Sequence, residues 1–363
     1  MATPDRTPWI VLCETKRARW GGDLRRAQIF RELARETGAL QAQGWGHTSV
    51  RDSVRAVAGR PFPWRPRPFL ASSEFMSKGA VAQARRSTQP VILDVHDHPI
   101  AQAEALGRRL EATLRSDLAD RFDRNVSTFR LFAVPSASFG VLAGLDPDMT
   151  IVAPNGTDTA HIQPRAFPPE PAIGMISGAA EGRGIEALIA AARLVRESEL
   201  EVRLLLYLVA GDAAGEAYLE SLRDATAAEP WIEIRGVDQA ALPEALARAT
   251  VLVIPHPSNA YMDVAVPVKL LDSMAAGRPV VVTPREETRR IVESVGAGVV
   301  TAGDEPDDLA AAIVPLVRDA GRAARLGAAG RAAAERDFDW SVIGGRLATE
   351  VLRRLDITPK LGH

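Results

Sequence analysis

Short apolar runs alternate with longer helical stretches along the whole chain, and this alternation constrains the fold more than any other feature. The apolar runs of the first half are WIVLC (9–13), a run near 69–71, VILDV (91–95), LFAVP (131–135) and TIVAP (150–154). Those of the second half are AIGMI (172–176), VRLLLYLVA (202–210), WIEIRG (231–236), VLVIP (251–255) and PVVVT (279–283). Runs that are apolar without alternation are typical of parallel strands covered on both faces, which need crossover helices. We therefore predict an α/β fold with a doubly wound parallel sheet in each half.

The length and the proline distribution indicate two domains. A chain of 363 residues is too long for one ordinary hydrophobic core. The segment PRAFPPEP (164–171) is too rich in proline for a helix or a sheet and favours a stiff hinge. We expect domains at 1–165 and 166–340, facing each other across a cleft, because open parallel sheets bind ligands beyond the carboxyl ends of their strands. The predicted helices lie at about 23–36, 100–121, 185–198, 215–228, 240–248 and 267–276, with an Ala- and Arg-rich helix near 309–335.

Charge is distributed unevenly between the two halves. The whole chain has a formal net charge of -2, which predicts no bulk affinity for nucleic acid. Residues 1–86 carry 16 Lys and Arg against 7 Asp and Glu, a net of +9. Such a basic lobe suits an anionic acceptor or a membrane surface, and the alternative is that its arginines merely solubilise helices.

The single cysteine, Cys13, excludes an intramolecular disulfide. The N-terminus MATPDRTP lacks the basic and apolar regions of a secretion signal, and the longest apolar runs are too short to span a bilayer. These features predict a cytoplasmic protein and leave open a peripheral contact with the inner membrane face.

The stretch VPVKLLDSMAAGRPVVVT (266–283) places a cation and an anion inside an otherwise apolar helix. Pro267 suits the first helical position, and Gly277 suits the residue just past the helix end. Lys269 and Asp272 share a face that is separate from the apolar stripe. They are either an i,i+3 ion pair or part of a binding site.

Several segments, taken together and in this order, resemble the retaining glycosyltransferases of GT-B fold in glycosyltransferase family 4. In the second half they are APNGTD (153–158), IRGVDQAALPEALARATVLVIPH (234–256), PVKLLDSMAAGRPVVVTPREETRRIVESVGAGVV (267–300) and DFDW (337–340). The first half adds RWGGDLRRAQIFRELARETG (19–38) and VILDVHD (91–97). The resemblance implies two Rossmann-like domains, an acceptor domain followed by a nucleotide-sugar donor domain, and a last helix within 341–363 that returns to the first domain.

The resemblance also gives roles to the charged helix. In the family, two glutamates hold the donor sugar and the ribose. The second maps onto Asp272, and a carboxylate suits a ribose diol because it accepts two hydrogen bonds. The first maps onto Val264, which accepts none, so the sugar contact is missing or is displaced to Asp263. Lys269 lies where a pyrophosphate would meet both its ammonium and a helix N-terminus.

Further phosphate and base contacts follow from the same resemblance. Gly21 and Gly22 lie between the first strand and the first helix, where backbone amides would approach a diphosphate, although two glycines also suit a simple turn. The family arginine that follows the first strand of the donor domain maps onto Met175, and Arg183 is the substitute for the family lysine. A second group, Gly236 and Val237, follows the strand WIEIR where the family packs the nucleotide base.

The string DVHDHP (94–99) offers two carboxylates and two imidazoles. In the resemblance, His96 matches the family histidine that faces the donor sugar near the reacting carbon. Two alternatives remain: His96 caps the following helix, or the loop ligates metal as in phosphoesterases that begin with an Asp-x-His pair. The metal alternative needs further ligands, and the second half offers the histidines His161, His256 and His363.

Together these features predict transfer of a glycosyl group from a nucleotide sugar to an acceptor hydroxyl, with retention of configuration and with no metal or other cofactor. His96, Lys269 and Arg183 are the expected catalytic residues. The acceptor would be a glycan, a lipid-linked or a small-molecule hydroxyl. The alternatives are a catalytically silent homologue that binds a nucleotide, a GT-B sugar-nucleotide epimerase, and the metallophosphoesterase.

Overall fold

The computed structural model describes residues 10–13, 25, 28–29, 31–33, 35, 40–43, 69–72, 92–107, 110–129, 131–198 and 200–354. They form two compact units, each built on a six-stranded parallel sheet. The first unit contains the described residues up to Ile100, Leu110–Pro154 and the described residues from Trp340 on. The second contains the described part of Ala101–Arg109 and Asn155–Asp339. The prediction of a doubly wound parallel sheet in each half is confirmed.

The first unit has the strand order β2-β1-β3-β4-β5-β6, and all neighbouring strands are parallel. Its strands are β1 (Ile10–Cys13), β2 (Leu40–Gln43), β3 (Phe69–Ser72), β4 (Ile92–Asp94), β5 (Leu131–Val134) and β6 (Thr150–Val152). Its described residues between Arg25 and Arg35 are helical, and three helices follow β4 in the chain: α1 (Pro99–Ala105), most of which belongs to the second unit, and then α2 (Ala112–Val126) and α3 (Ala137–Leu142) of the first unit. Strand β2 was not predicted, because its sequence, LQAQ, has no apolar run.

Residues 100–121, predicted as one helix, belong to two. Helix α1 ends at Ala105 and α2 begins at Ala112. Between them Gly107 adopts a φ of +66°, in the left-handed region where helices commonly end. The prediction of one continuous helix is therefore wrong.

The second unit has the strand order β12-β11-β10-β7-β8-β9. Its strands are β7 (Ala172–Gly178), β8 (Arg203–Val209), β9 (Ile232–Arg235), β10 (Val251–Ile254), β11 (Val280–Val282) and β12 (Gly298–Val300). Its helices are α4 (Ile185–Glu197), α5 (Ala213–Ala225), α6 (Leu242–Ala247), α7 (Ala260–Val264), α8 (Val268–Ala275), α9 (Glu286–Val295), α10 (Pro306–Arg318) and α11 (Ala320–Ala333). The order reverses between β7 and β10, and ligands of such sheets bind at this switch point.

The second sheet is covered on both faces, as its uninterrupted apolar strands predict. Alternate side chains of β10 enter different cores. Val251 and Val253 pack with residues of α4, α5 and α10, whereas Leu252 and Ile254 pack with residues of α6, α8 and α9. Since successive strand residues point to opposite faces, one apolar run supplies both cores.

The proline-rich segment 164–171 lies inside the second unit, so the prediction of a hinge there is wrong. The guanidinium of Arg278 donates hydrogen bonds to the carbonyls of Ala166 (2.8 Å) and Ala247 (2.9 Å) and lies 4.3 Å from the ring centroid of Phe167. Proline has no backbone N–H to donate. The buried guanidinium of Arg278 provides the donor for the backbone carbonyl of Ala166 in this segment. The chain enters the second unit for the described part of Ala101–Arg109, enters it again after Pro154 and returns to the first unit after Asp339.

The last described helix, α12 (Trp340–Arg354), belongs to the first unit. Its apolar face, which includes Trp340, Leu347 and Val351, packs in one cluster with Ile29 and Ile92. This packing places the end of the described chain on the first core. In the part of the chain that the structure describes, no helix combines the length and the hydrophobicity that crossing a bilayer requires.

Candidate functional site

Polar and cationic side chains converge at the switch point of the second sheet. Ser177 lies at the carboxyl end of β7, and the ammonium of Lys269, in the first turn of α8, lies 3.4 Å from its hydroxyl oxygen. Arg183 precedes α4, and its positive charge acts on Lys269. His256 follows β10, the neighbour of β7 in the sheet. The structure therefore brings together two predicted residues, Lys269 and Arg183, with two that were not predicted as donor ligands.

Gly184 explains how the loop that carries Arg183 reaches this site. Its φ is +75°, and a Cβ atom there would lie 1.8 Å from the carbonyl oxygen of Pro255. The loop thus packs directly against the end of β10. Gly184 is also the N-cap of α4 and supplies no side-chain hydrogen bond to the first turn. A helix N-terminus without a capping side chain favours an anion.

The electrostatics of Lys269 point to an anionic ligand. Its pKa lies well below the usual value, first because burial removes the ammonium from water and second because Arg183 is positively charged. Among the described residues, no carboxylate forms an ion pair with it. An anion bound between the two side chains would offset this repulsion and favour the charged ammonium.

Asp272 lies one helical turn after Lys269 and has a different environment. It is buried, and its Oδ1 accepts a hydrogen bond of 2.7 Å from the hydroxyl of Thr157. Burial raises its pKa to about 7, the charge of Asp158 adds to the rise, and the Thr157 bond and His161 oppose it. Because Asp272 pairs with a hydroxyl and not with Lys269, the simpler explanation of the two residues, an i,i+3 ion pair, is wrong.

Thr157 is a site residue that the sequence reasoning missed. Its side chain is fully buried, and its N–H donates to the carbonyl of Phe338 at 2.9 Å. It belongs to the segment APNGTD, which was used only for the resemblance. Nearby, the amide of Asn155 donates to the carbonyl of Val266 and holds the approach to α8. A polar residue shortly after the predicted strand TIVAP (150–154) was the available signal.

Asp263, predicted to replace the missing sugar contact, is engaged by an arginine. Nη1 of the buried Arg285 lies 3.3 Å from Oδ1 of Asp263, and Nη2 donates to Asp304. Asp304 in turn accepts a hydrogen bond of 2.9 Å from the N–H of Ser258. This arginine clamp holds the loop between β10 and α7. Val264, at the position of the family glutamate, is a buried apolar residue.

Met175 does not occupy the position that the resemblance implied. It lies in the middle of β7 and is fully buried, whereas the position of the family arginine follows the strand. The first residue after β7 is Ala179, and the polar group at this strand end is Ser177. The earlier placement is therefore wrong, because Met175 lies inside the predicted run AIGMI (172–176) and β7 continues to Gly178.

His256 also lies at this switch point, although the sequence analysis named it only among the possible metal ligands. Its side chain is 2% exposed, and neither ring nitrogen forms a hydrogen bond with any described group. Its pKa lies well below the usual value, chiefly because of burial and then because of the charges of Lys269, Arg183 and Arg285. Burial and these charges therefore favour the neutral imidazole.

The positions predicted to contact the base follow β9. Gly236 is exposed, and a Cβ atom there would come no closer than 4.0 Å to the carbonyl of Leu208, so the surface above it is open. Val237 packs against a small apolar cluster that includes Tyr207 and Ala245. The other predicted loop, Gly21 and Gly22, lies outside the described residues.

His96 belongs to the first unit, directly after β4. Its Nε2 lies 3.4 Å from Oδ2 of Asp97, and its Nδ1 lies 3.7 Å from Oδ2 of Asp94. Asp94 forms a buried ion pair of 2.8 Å with Arg25, which also donates to the carbonyl of Ala153. The phosphoesterase alternative needs a cluster of ligands, and no group of three or more His, Cys, Asp or Glu side chains suited to a metal occurs within the described ranges.

The chain is similar to known glycosyltransferases in sequence. Residues 170–319 match the family described as Glycosyl transferases group 1. The chain is 29% identical over 222 residues to a GDP-mannose-dependent alpha-(1-6)-phosphatidylinositol monomannoside mannosyltransferase of Mycolicibacterium smegmatis. That match covers 59% of this chain and 56% of the relative, so the chain spans little more than half the length of the relative.

Solved structures show the same fold over nearly the whole chain. A sucrose-phosphate synthase from Thermosynechococcus elongatus superposes with a TM-score of 0.69 at 15% identity and covers 96% of this chain and 99% of its own. Anabaena HepE in complex with UDP gives a TM-score of 0.68 at 18% identity, with 96% and 100% covered. Likeness at such low identity shows the fold, which is GT-B.

Proposed function

We propose that this protein is a glycosyltransferase, which moves a sugar from a nucleotide-sugar donor to an acceptor hydroxyl. Its chain has the GT-B fold, and residues 170–319 match the Glycosyl transferases group 1 family. The observation that carries the proposal is the convergence of Lys269, Arg183 and the N-terminus of α4 at the switch point of the second sheet. The donor binds to this second unit. Its diphosphate lies against the cations, and its ribose lies against Asp272.

The spacing of the two charged residues on α8 suits adjacent parts of a nucleotide. Lys269 and Asp272 are three residues apart, which is about 4.5 Å along a helix axis. A diphosphate and a ribose are neighbouring groups of every nucleotide sugar. The Thr157 hydrogen bond occupies Oδ1 of Asp272 and orients the carboxyl group. Oδ2 then accepts from the ribose diol.

The proposed chemistry is transfer with retention of configuration and without a metal. The bond between the anomeric carbon and the phosphate oxygen breaks, and its electron pair leaves with the diphosphate. The acceptor oxygen forms the new bond from the same face, and its proton passes to the departing phosphate. Lys269 and Arg183 stabilise the growing negative charge on the leaving diphosphate.

The identities of donor and acceptor extend this proposal. The similar mannosyltransferase is named for GDP-mannose, and HepE was solved with UDP, so both GDP-mannose and UDP-sugars are donor candidates. The named acceptor of the mannosyltransferase is a phosphatidylinositol mannoside. An anionic, membrane-presented acceptor also fits the net charge of +9 in residues 1–86. We therefore propose a glycan or lipid-linked acceptor and peripheral membrane contact of a cytoplasmic enzyme.

A donor-hydrolysis screen tests the function. Purified protein is incubated with GDP-mannose, UDP-glucose and other nucleotide sugars in EDTA, and release of the nucleoside diphosphate is measured. We expect release from one donor, with the α-configuration of that donor kept in the product. Nucleotide binding without any turnover would favour the silent homologue, for which the loss of a sugar-contacting carboxylate at Val264 argues. Epimerised donor without transfer would favour the epimerase.

Cosedimentation with vesicles tests the membrane contact. Vesicles of anionic and of neutral phospholipid are compared at low and at high salt. We expect the protein to sediment with anionic vesicles at low salt and to be released at high salt. Protein that stays in the supernatant with both vesicle types would remove this part of the proposal.

A further inference from the structure

His256 has no role in the proposed transfer, although it lies among the groups assigned to the donor. It follows β10 at the switch point, and the carbonyl of its neighbour Pro255 packs against Gly184 at the start of α4. Its own carbonyl accepts a hydrogen bond of 2.6 Å from the hydroxyl of Thr283, which fixes the backbone. The backbone that carries the imidazole thus lies beside the N-terminus of a 13-residue helix.

The ring itself is buried without hydrogen bonds. Its side chain is 2% exposed, and both ring nitrogens lack a partner among the described groups. A buried polar group without a partner costs roughly 1–3 kcal/mol. Such groups are rare in proteins, and a ligand that completes the hydrogen bonds is one explanation for their presence.

The charges that act on the imidazole come from three different elements. Lys269 lies on α8, Arg183 lies before α4, and Arg285 lies before α9. The nearby carboxylates are already engaged: Asp263 and Asp304 bind Arg285, and Asp272 accepts from Thr157. Burial and, after it, these positive charges favour the neutral imidazole as long as no anion is bound.

We propose that His256 is a ligand of the donor diphosphate and takes up a proton from solvent as the diphosphate binds. The ligand identity rests on the proposed function, whereas the proton uptake rests on the burial and the neighbours of His256. A bound diphosphate carries at least two negative charges and offsets Lys269 and Arg183. It also provides an acceptor for a ring N–H. Both effects favour the imidazolium over the neutral ring.

Proton uptake has a consequence for product release. A released nucleoside diphosphate carries more negative charge than the nucleotide sugar from which it came. The imidazolium therefore binds the product more strongly than the donor, and it binds both more strongly at low pH. The affinity for nucleoside diphosphate should rise as the pH falls from 8 to 6, in proportion to the protonated fraction of His256.

The test follows the protonation state of the histidines by NMR on full-length protein with labelled histidine side chains. The chain has six histidines, and the His256 signal is the one missing from the His256→Gln variant. Spectra are recorded from pH 5.5 to 8 without ligand, with UDP, with GDP and with inorganic pyrophosphate. We expect a neutral ring without ligand over the whole range and a protonated ring at pH 6 when a diphosphate is bound.

Titration calorimetry on the same proteins measures the consequence. At pH 6 the His256→Gln variant should bind the diphosphate at least about tenfold more weakly than the wild type, because a hydrogen bond to a charged group is lost. The difference should shrink at pH 8. The control is His98→Gln in the first unit, where the ring packs 5.1 Å from that of Phe122, and it should match the wild type. If His256→Gln does not fold, His256→Asn takes its place, and the wild-type spectra still report the ring.

The three probes separate this inference from the proposed function. Protonation of His256 with UDP or GDP supports both. Protonation with pyrophosphate alone supports the role of His256 and contradicts the nucleotide donor. Binding of any probe while His256 stays neutral overturns the inference and leaves the donor site standing. Binding of none of the three overturns it as well.

Discussion

The hydroxyl of Thr157 donates a hydrogen bond of 2.7 Å to Oδ1 of Asp272, and both side chains are buried. The two residues come from the segment that enters the second unit and from α8. The bond orients the carboxyl group, and burial raises its pKa to about 7. Changes at this buried carboxyl group should therefore alter both the free energy of unfolding and the affinity for a nucleotide.

At pH 8, where the carboxyl group is largely ionised, replacing Asp272 by alanine should weaken nucleotide binding by roughly 1.5–3 kcal/mol, about ten- to more than a hundredfold, because a charged acceptor for the ribose diol is lost. Thr157→Val is the comparison, since it removes the orienting bond and keeps the carboxyl group, and its effect should be smaller. Titration calorimetry with UDP and GDP measures both. A folded Asp272→Ala protein that binds as tightly as the wild type would contradict the ribose assignment.

The pH dependence of stability should carry the signature of Asp272. Between its ordinary pKa of 3.8 and about 7, the folded protein holds a proton on Asp272 that the unfolded chain releases. The free energy of unfolding should therefore fall as the pH rises through this window, by at most about 1.4 kcal/mol per pH unit.

Denaturant titrations of the wild type and of Asp272→Asn from pH 4 to 8 isolate this contribution. The variant cannot titrate at this position, so the difference between the two curves should decline with rising pH and level off above pH 7. His256 acts in the opposite direction, lowering stability as the pH falls below about 6.5, but it is present in both proteins and cancels. A difference that is flat with pH would show that Asp272 has no raised pKa.

Lys269→Ala and Asp272→Ala should change different kinetic parameters. The contact of the ammonium strengthens while charge accumulates on the leaving diphosphate, whereas the ribose contact is much the same in the ground and transition states. The lysine variant should thus lose kcat as well as affinity, and the aspartate variant mainly affinity. Steady-state kinetics with the donor found in the screen decides it. Equal kcat for Lys269→Ala and the wild type would remove the lysine from the chemistry.

Two glycines with similar backbone angles should respond differently to alanine. Gly184 has a φ of +75° and would place a Cβ atom 1.8 Å from the Pro255 carbonyl, whereas Gly296, with a φ of +66°, has nothing within 4 Å. Gly296→Ala should cost about 1 kcal/mol from the left-handed backbone alone. Gly184→Ala should cost several kcal/mol and displace the Arg183 loop. Thermal unfolding and nucleotide titration compare them, and equal losses would argue against the close packing at Pro255.

Asp263 and Asp304 both bind Arg285, so alanine variants at the two positions can be compared to test the arginine clamp. If the clamp is the main role of Asp263, alanine at either position should lower the melting temperature and kcat/KM to a similar extent. Melting curves and donor kinetics on both variants measure this. A loss of kcat/KM at least tenfold greater for Asp263→Ala would instead assign the sugar contact to Asp263.

The sequence by itself determined much of the local structure of this protein. Uninterrupted apolar runs required strands covered on both faces, and hence two parallel sheets with crossover helices. Pro267 and Gly277 marked the ends of α8 to within one residue, since the helix spans Val268–Ala275. These features depend on backbone angles and on which faces are apolar, and neighbouring residues encode both.

Only the tertiary structure decided which polar groups meet. Thr157 and Asp272 are 115 positions apart, and Lys269 and Ser177 are 92 apart. Their contacts depend on the order of the strands and on where each strand ends, and no local pattern records either. For the same reason the sequence suggested a hinge in a proline-rich segment that Arg278 holds inside the second unit, and it gave no sign that the ring of His256 is buried without a hydrogen-bond partner.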